Sequence, residues 1–128
     1  MEDPYVVEIE PEVRLWLANL PERDYLIVEH LVGRLACNAT TLGEPYSRHL
    51  GDRLSELRFD LGHNRDAVRL PYRLAPGRRI ILLTVFRKSR QREAAEVERA
   101  QRAQAVCQAE HEPAHEEYIR VITEGRSR

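Results

Sequence analysis

The stretch from Pro76 to Lys88 constrains the fold of this chain more than any other. Pro76-Gly77 signals a tight turn, because Pro presets φ and Gly accepts positive φ. The run that follows, Ile80 to Phe86, carries no charge, and Thr84 is its one polar residue. A half-solvated strand would alternate apolar and polar residues, so this run predicts a central strand covered on both faces. It leads into Arg87, Lys88 and Arg90. Cations at a rigid strand end are suited to holding phosphate.

Those cations belong to a charge pattern that the net charge of −1 conceals. Positions 1–47 hold three Arg against nine acids, positions 48–92 hold twelve Arg and Lys against four, and positions 93–128 hold five against eight. A basic middle can present a local field to a polyanion in a chain that is neutral overall. Eleven of the twelve middle cations are Arg, whose planar fork grips phosphate oxygens in pairs. The acidic first third and the basic middle are expected on different surfaces. A solvated Arg-rich face with no ligand would show the same composition.

The 128 residues suffice for one domain with its own core, expected over 1–110 with a tail at 111–128. No apolar run reaches membrane-span length, and Met1-Glu2-Asp3-Pro4 lacks signal-peptide character. A cytoplasmic protein with no membrane partner is the expectation. Cys37 and Cys107 have no metal-like spacing, and both are expected to be reduced and partly buried.

Elsewhere the patterning predicts α+β. Tyr5 to Ile9 alternates weakly, as a short strand does. Pro11 suits a first helical turn, and Val13, Trp16, Leu17 and Leu20 form an amphipathic stripe. After Pro21 the pattern repeats at Val28, Leu31, Val32 and Leu35, giving a helical hairpin. Gly43 and Pro45 mark its exit loop. Strands are expected at Leu54–Leu61, with Leu57, Phe59 and Leu61 inward, and at Ala67–Leu74, with Val68, Leu70 and Leu74 inward. The short turns make them antiparallel neighbours of the central strand. Arg58, Arg69 and Arg73 then point away from that core, so replacing Arg69 should leave folding nearly intact. A helix is expected from Gln91 to about Ala109. Its Ala- and Glu-rich composition gives only a weak apolar stripe, as in a helix docked loosely or against a partner.

His111-Glu112-Pro113-Ala114-His115 matches the letters of the H-E-x-x-H zinc motif. The motif requires both His on one face of a helix, and Pro113 breaks that turn; a solvated helix end is the expected reading. His30 sits at the edge of its helix stripe, and His49 and His63 are expected in loops. No nucleotide-binding glycine motif is present. No metal and no cofactor are expected.

The basic middle can support RNA cleavage by internal transesterification, in which the ribose 2′-OH attacks the adjacent phosphate and the 5′-oxygen leaves. This needs a proton acceptor, cations for the phosphorane and a donor for the leaving oxygen. Arg58 and Arg69 are candidate phosphate clamps. Lys88 is the candidate base or electrostatic group, its pKa expected to fall beside Arg87 and Arg90. Arg73, Arg87 and Arg90 are candidate RNA contacts. Tyr72 can stack on a base or donate a proton, but its parity with Leu70 argues for burial unless Pro71 makes a bulge that turns it out.

Several motifs in order carry a resemblance: Trp16-Leu17 with Leu20, Leu42-Gly43-Glu44-Pro45, Leu54-Ser55-Glu56-Leu57-Arg58-Phe59, Arg69-Leu70-Pro71-Tyr72, Ala75–Lys88, and Glu96-Val97-Glu98-Arg99-Ala100. Together they resemble the RelE/ParE toxin superfamily, most closely its HigB-type, phage-derived branch. The resemblance spans roughly positions 5–106. It implies a strand, a helical hairpin, a mainly antiparallel sheet and a terminal helix. It also implies a type II toxin that cuts mRNA on the ribosome and is held inactive by an antitoxin, expected to be a helix-turn-helix protein. The family's catalytic roles fall on Arg58, Arg69 and Lys88, with Tyr72 matching the family tyrosine. Two features depart from the family: the chain is not basic overall, and Pro71 interrupts a strand that normally lacks Pro. The alternative is an interaction protein on the same fold, either a ParE-like topoisomerase poison or a degenerate toxin that binds its antitoxin.

Overall fold

The structure, a computed structural model, describes residues 4–88 and 93–110, with the backbone of 116–117. It is an α+β fold, as expected. Strand β1 (Val6–Ile9) leads into α1 (Pro11–Ala18) and α2 (Glu22–Cys37). Strands β2 (Ser47–Gly51), β3 (Leu54–Leu61), β4 (Asp66–Ala75), β5 (Arg79–Leu82) and β6 (Phe86–Arg87) follow. Then come α3 (Glu93–Glu110) and a two-residue strand β7 (Glu116–Glu117). The sheet order is β2-β3-β4-β5-β1-β7, with β6 paired to β4 beyond the end of β5. The β1–β5 pair is parallel, and the other pairs are antiparallel. Among the described residues no helix is long and apolar enough to cross a membrane.

The helical hairpin covers one face of the sheet because its stripes do what their spacing dictates. Pro11 begins α1, where its missing N–H costs nothing. Val13 and Leu17 of α1, and Val28, Leu31, Val32 and Leu35 of α2, are buried against Val7, Ile9, Leu57, Val68, Leu70, Ile80 and Leu82.

The other face is also covered, which corrects the expectation of a loosely docked last helix. Ala100, Ala103 and Cys107 of α3 pack on Leu54, Ala75, Ile81 and Leu83 in a smaller core. Small side chains let helix and sheet approach closely, and for that reason they leave little apolar stripe to read in sequence. Gln104 adds a hydrogen bond from Nε2 to the Asp52 carbonyl at 2.8 Å.

Two further expectations change. Strand β2 stands where only a loop was expected. Its turn into β3 places Asp52 and Arg53 at positive φ, the conformation of a tight two-residue hairpin. The predicted central strand is not continuous either. Tyr72 pairs with Leu82, but Arg69 pairs with Phe86, so β5–β6 carries one more residue than a regular ladder. Pro71 explains the place of this bulge. The Leu83 N–H donates to the Pro71 carbonyl at 2.9 Å, so the Pro71 nitrogen, which has no hydrogen, faces the side where residues 83–85 leave the ladder. The disturbance thus falls on the neighbouring strand, and Tyr72 stays in register with Ser55.

Candidate nucleic-acid interface

Register decides which of the predicted residues meet. Arg58 lies opposite Arg69, Glu56 opposite Pro71, and Leu54 opposite Arg73. On the edge strand, Arg48 lies opposite Glu56. These side chains share the α3 face of the sheet, since Leu54 belongs to the core beneath α3. The bulge brings Phe86 opposite Arg69. Lys88, whose N–H donates to the Ala67 carbonyl at 2.8 Å, continues that alternation onto the same face. Without the extra residue, Lys88 would fall on the hairpin side.

Arg58, Arg69 and Lys88 are therefore brought to one face, but on different terms. Glu56, 1 % exposed, lies 3.9 Å from Arg58 Nε and 3.8 Å from Arg69 Nε through the same carboxylate oxygen. The acid that meets the Arg58–Arg69 pair comes from the basic segment itself, not from the acidic helical hairpin. Arg69 is 6 % exposed and also donates to the Val68 carbonyl at 3.1 Å. The expectation that it could be replaced at no cost to folding fails, because its loss would leave buried Glu56 with one cation fewer. Arg58 keeps 23 % of its side chain exposed, and Lys88 and Arg48 are exposed. Among the described residues, the accessible cations on this face of the sheet near Glu56 are thus Arg48, Arg58 and Lys88, set around a buried Glu56–Arg69 ion pair.

The remaining predicted residues lie elsewhere. Arg73 is buried under α3, where one guanidinium nitrogen donates to Cys107 Sγ at 3.4 Å, so it is not placed to contact RNA. Arg87 alternates to the hairpin side with its partner Val68, and its guanidinium binds Asp66 at 2.9 Å. Arg90 lies outside the described residues, as do His111 and His115. Cys37 is exposed and Cys107 buried, and both are free thiols.

Tyr72 faces the hairpin, on the other side of the sheet from Arg58 and Lys88. Its hydroxyl lies 2.7 Å from Ser47 Oγ and also hydrogen-bonds Ser55. Ser55 is in turn 3.4 Å from His49 Nδ1. Burial pushes the Tyr72 phenol above its ordinary pKa and outweighs the two hydroxyl contacts, which lower it. The phenol therefore stays protonated at physiological pH. These residues line a cavity of about 450 Å³ beneath the 39–44 loop. A second cleft of about 600 Å³, between α2 and the β3–β4 turn, is lined by none of Arg48, Arg58 and Lys88.

Sequence reasoning missed Glu56 as the shared counter-ion. Glu56 and Arg58 stand two apart in a predicted strand, which places them on one face, so the signal was present. It also missed Arg48, for want of β2, and the contacts of Glu12 and Arg99 with Val85.

The sequence pattern of the phage derived protein Gp49-like family (DUF891) matches residues 15–105, which span every strand of the cationic face. The chain belongs to this Gp49-like family. Its fold is similar to that of the toxin RelE. A mutant of the E. coli toxin RelE in the free state superposes with a TM-score of 0.52 at 13 % identity, covering 77 % of this chain and 94 % of that one. The RelBE2 toxin–antitoxin complex of Mycobacterium tuberculosis gives 0.49 at 22 % identity, over 67 % and 100 % of the two chains. No curated protein matches the sequence. The Gp49-like core thus carries the cationic face on a RelE scaffold.

Proposed function

We propose that this Gp49-like protein is the toxin of a type II toxin–antitoxin system, acting as a ribosome-dependent, metal-independent mRNA endonuclease. The observation that carries the reading is the set of solvent-accessible cations, exposed Arg48 and Lys88 with half-buried Arg58, gathered on one polar face of a RelE-type sheet. Likeness of fold to a toxin called RelE agrees with it. In this reading Arg58 neutralises charge on the phosphorane, and Lys88 supplies a second positive charge or receives the 2′ proton. Arg69 acts from beneath: with Glu56 it fixes the Arg58 guanidinium. Tyr72 supports the β2–β3–β4 packing rather than the chemistry. The partners are mRNA on the ribosome and a cognate antitoxin of helix-turn-helix type, with action in the cytoplasm.

The burial of Arg69 favours a second reading, a non-nucleolytic protein on the same fold that poisons a topoisomerase or serves mainly to bind its antitoxin. Expression without an antitoxin separates the two. The nuclease reading expects growth arrest with transcripts cut at translated codons. Arrest with intact mRNA and damaged DNA, or no arrest at all, would replace it with the second reading.

A further inference from the structure

The bulge that brings Lys88 to the α3 face is held by two helices. The Val85 N–H donates to Glu12 Oε2 of α1 at 3.1 Å, and the Val85 carbonyl accepts from Arg99 Nη2 of α3 at 3.2 Å. Arg99 also donates to the other Glu12 oxygen and to Glu96. Glu12 is the main cause that binds the Arg99 proton more firmly than usual. A bulged residue loses its ladder partners. Here one carboxylate and one guanidinium, bonded to each other, replace both of them. Phe86 and Lys88 rejoin β4 immediately afterwards.

We propose that Glu12 and Arg99 form a positioning clamp that fixes the β5–β6 bulge and, through it, places Lys88 on the sheet face that carries Arg58. The inference rests on the RNA-contact reading of the cationic face, and it makes α3 docking a condition of an ordered site. Neither clamp residue touches RNA. A one-residue slip of β6 would carry Lys88 to the hairpin side of the sheet. A catalytic group displaced by about an ångström already costs on the order of a hundredfold in rate.

The test combines amide exchange with cleavage kinetics on the full chain. In Arg99→Ala and Glu12→Gln, the Lys88 amide should exchange at least about tenfold faster, while the Leu70 and Ile81 amides keep their protection. The kcat for mRNA cleavage on ribosomes should fall about tenfold or more, with KM little changed. Arg99→Lys restores the charge but not the fork, so it should recover the exchange rate only in part. The double variant should match the worse single variant, since one clamp is broken either way. Unchanged Lys88 exchange in both single variants would overturn the proposal, as would uniform loss of protection across the sheet. Faster Lys88 exchange with undiminished cleavage would leave the clamp standing and refute the role of the cationic face.

Discussion

The two faces of this sheet solve different problems. The hairpin face is filled by large aliphatic side chains, from Val13 and Leu17 through Leu35 to Leu57, Leu70 and Ile80. The α3 face has a small core of Leu54, Ala75, Ile81, Leu83, Ala100 and Cys107, and beyond it a field of charge around Glu56. Burial of large apolar area stabilises the first face at roughly 25 cal/mol per Å². The second gains less and holds charges out of water, which is costly unless they are paired. One face holds the fold, and the other spends stability to present cations in a fixed arrangement.

The sharpest way to break this contrast is to delete apolar volume on each face. Leu57→Ala, at a fully buried site on the hairpin side, should lower stability by about 3 kcal/mol or more. On the α3 side Ala103 has only a methyl to lose, and Ala103→Gly should cost about 1 kcal/mol, mostly through helix propensity. Urea denaturation of both variants measures the difference. Equal losses would erase it.

Arg69→Ala comes next. Breaking a buried pair typically costs about 3–5 kcal/mol, and contacts near 3.8 Å argue for the lower end of that range, about 3 kcal/mol. Replacing Glu56 and Arg69 together by Leu and Met should recover part of the loss, because no fully buried charge then remains and Arg58, which loses Glu56, still reaches water. Thermal melts of the single and double variants check this. A double variant as unstable as Arg69→Ala would mean that the ion pair itself sustains the sheet.

What could be read from sequence follows the same division. The hairpin stripes and the bounds of β3 were legible because large apolar residues recur at helical or strand spacing. Strand β2 was not legible: Ser47-Arg48-His49 has no apolar alternation, and its pairing comes from register with β3. The docking of α3 escaped because Ala100, Ala103 and Cys107 are small. Alternation correctly placed Arg58, Arg69 and Arg73 opposite the hairpin, but it says which way a side chain points and not what covers it. Tyr72 shared a motif with Arg69 and was grouped with it for that reason. Parity puts the two on opposite faces, three residues apart in one strand.

The smallest effect concerns Tyr72. Tyr72→Phe should cost about 1 kcal/mol, the usual worth of a buried hydroxyl contact. Its pH dependence is more telling. The folded-state pKa is raised, so the native state holds the phenolic proton more tightly than the unfolded chain. Stability from this group is complete below the unfolded value of about 10 and falls as pH rises through the folded pKa. Wild type should lose stability faster than Tyr72→Phe above about pH 10. Parallel curves for the two would show that the phenol is not desolvated.

The central claim is that the accessible cations of the α3 face do chemistry on RNA. Its most direct test is cleavage of mRNA on translating ribosomes by wild type, Arg58→Ala and Lys88→Ala, with thermal melts of each protein alongside. Lys88 is exposed, so Lys88→Ala should fold with a loss of about 1 kcal/mol or less. Arg58→Ala should lose more, because buried Glu56 gives up one of its two cations, but it should stay folded since Arg69 still pairs with Glu56. Cleavage should fall by about a hundredfold in each, as removal of a preorganised charge partner does. Folded variants that cut at the wild-type rate would contradict the account.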